Sequence, residues 1–363
     1  MRLSLFIHPL LCCSLAVASS TAMAQQTRIL TPDRYSEYGL VYALPNTAFE
    51  VEITATHTVR QAGPFHQYAP KYIGTDKVIS ADSESWTITG VKVRQYGIAN
   101  DSSIYRMQLK ANQNLSLCVA DDGMLLAVNT EAQMPKGWEP LQNPEPLLMP
   151  PATEYLQYVP EDFGSAQSDA RRAALLAQGL AEIRQSRIDL TRGDADNMPT
   201  DGKQLELMLN SLAHQEELLL NAFRGREMTE TRSARFTLVP DEEGRYVLAR
   251  LSDFAGFVNR DDLSGAPVYL DIKKLDGPEI PLDEKGQPMK MPRDGVMYLL
   301  PGTATVSISF GGRELFSSTM EMAQFGATFA LDPGLFTNKK APAFAIFNPA
   351  TGALRELGEQ KQQ

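Results

Sequence analysis

The chain has 363 residues, a formal net charge of −10 and 43% hydrophobic residues, enough for two core-bearing domains at roughly 100–200 residues each. Acidic and basic residues are spread along it rather than gathered in blocks, which argues against nucleic acid and anionic membrane surfaces as partners. Of its 3 cysteines, Cys12 and Cys13 lie in the N-terminal apolar run and Cys118 alone stands beyond it, so no internal disulfide framework is expected and Cys118 reads as a buried structural thiol.

The N-terminus reads as an export signal. Arg2 supplies a positive start, Leu3 to Val17 form an apolar run broken by His8 and Pro9, and Ala22-Met23-Ala24 offers a small-x-small cleavage site before Gln25. Residues 1–24 are therefore expected to be removed, leaving the protein in the periplasm or at the outer cell surface. The run is shorter than the roughly 20 apolar residues of a transmembrane helix, and no later segment approaches that length. Leu10-Leu11 precede Cys12 where a lipidation site wants small residues, so no lipid anchor is expected.

Residues 25–133 read as an antiparallel β-domain. From Ala48 to Arg60 the apolar-face positions Phe49, Val51, Ile53, Ala55, His57 and Val59 alternate with Glu and Thr, the mark of a half-buried strand. Tyr38 to Ala43 precede it across Leu44-Pro45-Asn46-Thr47, which suits a hairpin turn. Further strands are predicted at 86–93, 104–110, 115–120 and 124–128, with Asp121-Asp122-Gly123 as the turn between the last two. Seven prolines from Pro135 to Pro160 then mark residues 134–166 as a Pro-rich linker.

The period next changes from two to about 3.6, and residues 167–226 read as a long antiparallel αα-hairpin. Leu176, Leu180, Ile183 and Leu190 share one helix face, while Leu205, Leu209, Leu212, Leu219 and Phe223 stripe the second helix, which opens on Asp201 with Gln204 three residues on and ends near Gly225. Residues 227–357 return to period two. Strands are predicted at 235–239 and 246–251 around a turn at 240–244, at 267–273, at 296–300, at 303–310 and 313–318 around Gly311-Gly312, and at 343–347 and 353–357. Residues 358–363 read as a loose polar tail. The expected fold class is α+β, predominantly β: two sandwich-like antiparallel β-domains separated by the linker and the helical hairpin.

Motifs for chemistry are sparse. His57, His66 and His214 share no metal-ligand spacing, and Asp194-Ala-Asp196 fails as a calcium loop because Pro199 stands where Gly is needed. There is no Walker loop, G-x-S-x-G elbow or dinucleotide fingerprint. No catalytic residue, metal or cofactor is expected. The densest aromatic segment, Gly63 to Gly74, admits two readings. Phe65, His66, Tyr68 and Tyr72 form an exposed platform for a glycan or small ligand, or Phe65, Tyr68 and Tyr72 at i, i+3, i+7 form a helical turn closing the N-terminal sheet.

Gly39-Leu-Val-Tyr-Ala-Leu-Pro45, the Gly63 to Gly74 segment, Leu219 to Gly225, Tyr298-Leu-Leu-Pro301-Gly302, Gln324-Phe-Gly326 and Thr351-Gly-Ala353, in that order and spacing, resemble the exported bacterial family termed domain of unknown function 4831. The resemblance spans nearly all of the chain beyond the signal. It implies export in Gram-negative bacteria related to the gut Bacteroides group, and it brings no activity, cofactor or site residue.

Three functions follow from these readings. The leading one is a non-catalytic periplasmic or cell-surface module that contacts another envelope component, with Arg184 and Arg187 on the hairpin as partner contacts. The second is glycan or small-ligand binding at the aromatic loop 63–74. The third is an envelope-acting hydrolase with spatially gathered carboxylates and His57 or His66, which a deep cleft holding a histidine and paired carboxylates would favour.

Overall fold

The computed structural model describes residues 26–29, 39–108, 115–199, 201–292, 295–338 and 341–359. The expected export signal, 1–24, and the end of the expected tail, 360–363, lie outside the described residues. The protein is mostly β, with several antiparallel sheets.

The organising strand is β2 (Leu40–Gln61), which pairs from Leu40↔Met107 to Arg60↔Ser83 with β3 (Ser83–Gln108). Short β1 (Gln26–Ile29) joins the far side of β3, and β6 (Arg226–Leu238) joins the other side of β2, giving the order β1-β3-β2-β6. The expected turn at 44–47 is not formed, and the two runs around it are one strand. Tyr42, Leu44 and Thr47 are all buried, and a turn there would lift them out of the core. Pro45 is tolerated in a central strand because residues 100–103 of β3 bulge away between the pairs Ala43↔Ile104 and Pro45↔Ala99.

The second sheet has the order β11-β10-β9-β7-β8, built from β7 (Gly244–Ser252), β8 (Gly256–Val258), β9 (Ala266–Lys274), β10 (Val296–Phe310) and β11 (Arg313–Leu331). The runs 296–300 and 303–310 are a single strand carrying an irregularity at Pro301. Gly311 and Gly312, at φ +56° and +79°, make the two-residue turn to β11. The predicted hairpin across 240–244 is absent. β6 pairs with β2 over the thirteen positions from Phe49↔Leu238 to Gln61↔Arg226, so the chain passes from one layer to the other before β7 begins.

The third sheet, β13-β12-β5-β4, pairs β4 (Leu117–Val119) and β5 (Leu125–Val128) with β12 (Ala343–Phe347) and β13 (Leu354–Glu359). The two halves read from sequence as separate β-domains, 25–133 and 227–357, thus share sheets, through β2–β6 and β5–β12. Two β cores follow. Phe49, Val51, Ile53 and Ala55 face Leu248, Val268, Leu270, Val306 and Ile308 across the first two sheets, while Tyr42, Leu44 and Met107 meet Val128, Tyr298, Phe329 and Phe347.

A third core is helical. The helices α2 (Asp169–Arg192) and α3 (Gly202–Arg224) are capped by Ser168 and Asp201, whose side chains accept from the amides of Arg171 and Gln204. Leu176, Leu180, Leu219 and Phe223 pack between them and against Tyr155 and Phe163. The Pro-rich stretch has no regular structure over 131–150 but is pinned to the first sheet. Asn143 exchanges two 2.8 Å bonds with the backbone of Ser233, the guanidinium groups of Arg94 and Arg235 lie 5.7 and 5.3 Å from the Trp138 ring, and the Leu147 amide donates to Glu230. It is a strap on the edge strand β6, which covers a free strand edge.

Close approach is tightest at Gly97 of β3, where a Cβ would collide with the Pro349 carbonyl oxygen and with Met124 Sδ. Gly97→Ala should therefore lower stability by about 1–3 kcal/mol through overpacking, read as a lower midpoint in urea denaturation.

Candidate functional site

The aromatic segment serves the helical core. Residues His66–Tyr68 form a 3₁₀ turn that leads into α1 (Ala69–Ile73). Phe65 is buried, with its ring 6.1, 6.2 and 6.3 Å from those of Tyr155, Phe163 and Phe223, and the Tyr72 ring also lies 6.3 Å from that of Phe223. Tyr68 is half-buried against the same core. His66 Nδ1 lies 2.8 Å from the Gly63 carbonyl, a local bond that closes the turn.

Arg184 and Arg187 are also engaged. Arg184 Nε donates to Glu216 Oε1 at 2.7 Å, and Arg187 Nη1 lies 2.6 Å from Oε2 in an ion pair without hydrogen-bond alignment. Glu216 is buried while both arginines remain about two-fifths exposed. The pair therefore clamps α2 to α3 and neutralises an inward carboxylate. Beyond the clamp the hairpin continues to an open groove of about 490 Å³ lined by Leu190, Met208 and Leu212 and rimmed by Asp189, Asp194 and Asp196. Leu207 beside it is 64% exposed.

His57 is the centre of a polar cluster assembled from three strands. Its Nε2 is 2.8 Å from Glu84 Oε1 on β3, its Nδ1 is 3.1 Å from Glu230 Oε1 on β6, and its ring stacks on Trp86 at 4.4 Å with an interplanar angle of 5°. A doubly protonated ring donates to both carboxylates at once, whereas a neutral ring leaves one oxygen facing a lone pair. Burial alone would raise the Glu230 carboxyl, but His57, Arg232 and the Leu147 amide together hold it below the usual carboxylate range. The His57 and Glu230 side chains are only 10% and 9% exposed while Glu84 is 35% exposed, so the arrangement resembles an acid–base relay in composition and reaches solvent at its Glu84 edge.

The outer face of the five-stranded sheet carries the largest of these features, an open groove of about 760 Å³. Thr305, Ser307 and Ser309 of β10 line it, together with Tyr269, Asp271 and Lys273 of β9, Arg245 of β7 and Glu314 of β11. The registers Arg245↔Asp271↔Ser307 and Tyr269↔Ser309↔Glu314 place these side chains in rows on one face. Arg245 holds Asp271 through Nε at 2.6 Å and Nη2 at 3.2 Å and lies over the Tyr269 ring at 4.9 Å. No group of three or more metal-ligating side chains with ion-binding geometry occurs among the described residues.

The model of the family described as domain of unknown function (DUF4831) matches residues 38–355. The chain belongs to the DUF4831 family. No curated protein and no solved structure matches it. The DUF4831 match covers all three sheets except β1 and the last residues of β13, and both helices of the hairpin.

Sequence reading passed over the sheet-face residues of this DUF4831 chain, although a signal was present. Thr303, Thr305, Ser307 and Ser309 alternate with Ala304, Val306 and Ile308, which announces a strand whose outward face is all small hydroxyls. The partners of His57 lie 27 and 173 residues away, and no local pattern could join them. Cys118 is half-buried, its thiol donating to the Ala132 carbonyl.

Two outcomes are expected. Because the folded Glu230 carboxyl sits below its ordinary value of 4.5, its stabilising contribution is complete above that pH and is lost as pH falls further. Thermal melts should show wild type ahead of Glu230→Gln at pH 7, with the gap closing below about pH 4.5. Replacing both Arg184 and Arg187 by Ala strands a buried carboxylate and should cost on the order of 2 kcal/mol in urea unfolding.

Proposed function

We propose that this protein is an exported, non-catalytic binding module of the cell envelope, with the α2–α3 hairpin as its contact arm. In this reading residues 1–24 direct export, the β-rich body is the scaffold, and the hairpin carries contact with another envelope component in the periplasm or at the cell surface. The observation that carries it is the outer half of the hairpin. Helix contacts with the body involve the base, near residues 66–73 and 154–163, while the tip presents a groove with an apolar floor and exposed Leu207. Exposed apolar surface rimmed by charge is the usual character of a protein contact site. Asp189, Asp194 and Asp196 favour a partner that brings an apolar side chain flanked by basic residues.

The other readings receive less support. The burial of Phe65 favours the helical-turn reading of loop 63–74 over the ligand platform. The hydrolase reading needs an accessible histidine beside paired carboxylates, whereas His57 is enclosed between its two carboxylates and Trp86, and half-buried His66 bonds the Gly63 carbonyl with no carboxylate partner among the described residues.

The test moves the contact residues from Arg184 and Arg187, which hold the hairpin together, to its tip. A photoreactive side chain at position 207 should trap one recurrent envelope protein in intact cells. Met208→Glu should reduce that adduct at least about tenfold, equivalent to roughly 1.4 kcal/mol, without lowering the melting temperature. Equal trapping by the folded Met208→Glu protein would remove the contact-arm reading.

A further inference from the structure

We infer that the outward groove of the five-stranded sheet is a binding site for a neutral oligosaccharide, separate from the hairpin tip and sharing with the contact-arm reading only the premise of export. Three observations carry it. Firstly, the hydroxyls of Thr305, Ser307 and Ser309 and the phenol of Tyr269 line the groove, and none has a hydrogen-bond partner among the described residues. Such groups are satisfied by water, and a polyhydroxylated ligand replaces that water with donors and acceptors of the same kind. Along the strand, Thr305 to Ser309 spans about 14 Å at roughly 3.4 Å per residue, the length of a few sugar rings.

Secondly, the charges in the groove cancel. Arg245 and Lys273 are balanced by Asp271 and Glu314, so the site has no net charge with which to select an anion or a cation. A nucleotide, a phosphate or an acidic polymer would meet as much repulsion as attraction. Charged and hydroxyl groups around a neutral centre suit a ligand held by many directional hydrogen bonds, the Tyr269 phenol among them.

Thirdly, the site is rigid. Its residues stand on four hydrogen-bonded strands, β7, β9, β10 and β11, and Arg245 bonds Asp271 at two points with its guanidinium over Tyr269. Ordering costs on binding are then small. An extended peptide is the less fitting occupant, because it is recognised chiefly by backbone pairing at a sheet edge, and this groove lies across β7, β9, β10 and β11 on the face of the sheet.

The experiment is calorimetric titration of the full chain with neutral hexasaccharides of glucose, xylose and mannose in α and β linkage, with hexagalacturonate as the acidic control and a neutral extended hexapeptide as the second. At least one neutral hexasaccharide is expected to bind. Tyr269→Ala should weaken that binding about tenfold and Ser307→Arg, which fills the floor, should abolish it, both with unchanged melting temperature. Should Ser307→Arg fail to fold, the paired Thr305→Ala and Ser309→Ala changes give the same readout with nothing added to the sheet. Met208→Glu at the hairpin tip should leave the affinity unaltered, so that loss of the contact-arm reading and loss of this one are told apart. Absence of binding by every neutral hexasaccharide, preference for hexagalacturonate or the hexapeptide, or full affinity in folded groove variants would overturn the inference.

Discussion

The register of β2 is the constraint on which the rest of the molecule depends. This 22-residue strand lies between β3 and β6 and faces two different cores along its length. Side chains alternate with a period of two, so a slip of one residue against β3 would turn Phe49, Val51, Ile53 and Ala55 outward and drive Glu50 and Glu52 into the apolar layer. Buried Thr47 marks the point where the cores meet. Its hydroxyl donates to the Ala350 carbonyl at 2.8 Å and accepts from the Ala323 amide at 2.9 Å, while the Gln324 side chain bonds both its amide and its carbonyl. One residue thus ties β2, β11 and the β12–β13 turn, the three sheets, to a single register.

The opposite face of β2 is organised by charge. Glu52 receives Lys92 on one oxygen and Arg235 on the other, each at 2.9 Å, and these bonds, the one from Lys92 first, hold its carboxyl below the usual range despite the desolvation that opposes them. Arg94 Nε donates to Glu50 Oε2, also at 2.9 Å. The two arginines then support Trp138, and through it the Pro-rich strap. A segment whose prolines remove backbone donors cannot enter a sheet, but it can be ordered by side chains that already have a reason to stand in rows.

Polar groups in this protein divide by whether their partners are internal. His57, Glu84 and Glu230, the Glu216 clamp and Thr47 satisfy one another inside the fold. Their chemistry is spent on stability. Among the described residues the sheet-face hydroxyls of Thr305, Ser307 and Ser309 have no such partners, and the hairpin tip leaves Leu207 exposed; the proposed contacts rest on these groups. That division directs attention away from the residues that look most chemical in a sequence, histidine and arginine, and toward serines, threonines and a leucine.

Local patterns were legible along the chain wherever one element decides its own state. The alternation of β2, the cap Asp201, the Gly311-Gly312 turn and the leucine stripes of α2 and α3 all follow from periodicity and turn chemistry over a few residues. Pairing did not follow. Pro45 and Pro301 read as strand ends because proline lacks a donor, yet both lie within strands whose partners bulge or shift to accommodate them. β6 and β7 read as a hairpin because they are neighbours in sequence, yet β2 offers β6 thirteen paired positions in another layer. By itself, the sequence determined the central stretches of most strands and both long helices and which face of each is apolar, since those depend on spacing alone, while β1, β8 and parts of β3, β6 and β11 carried no such pattern. Only the tertiary structure decided which strands share a sheet, that His57 is enclosed by distant carboxylates, and that the hydroxyl row of β10 lies open beside Tyr269, because each depends on contacts between residues whose separation along the chain carries no local signal.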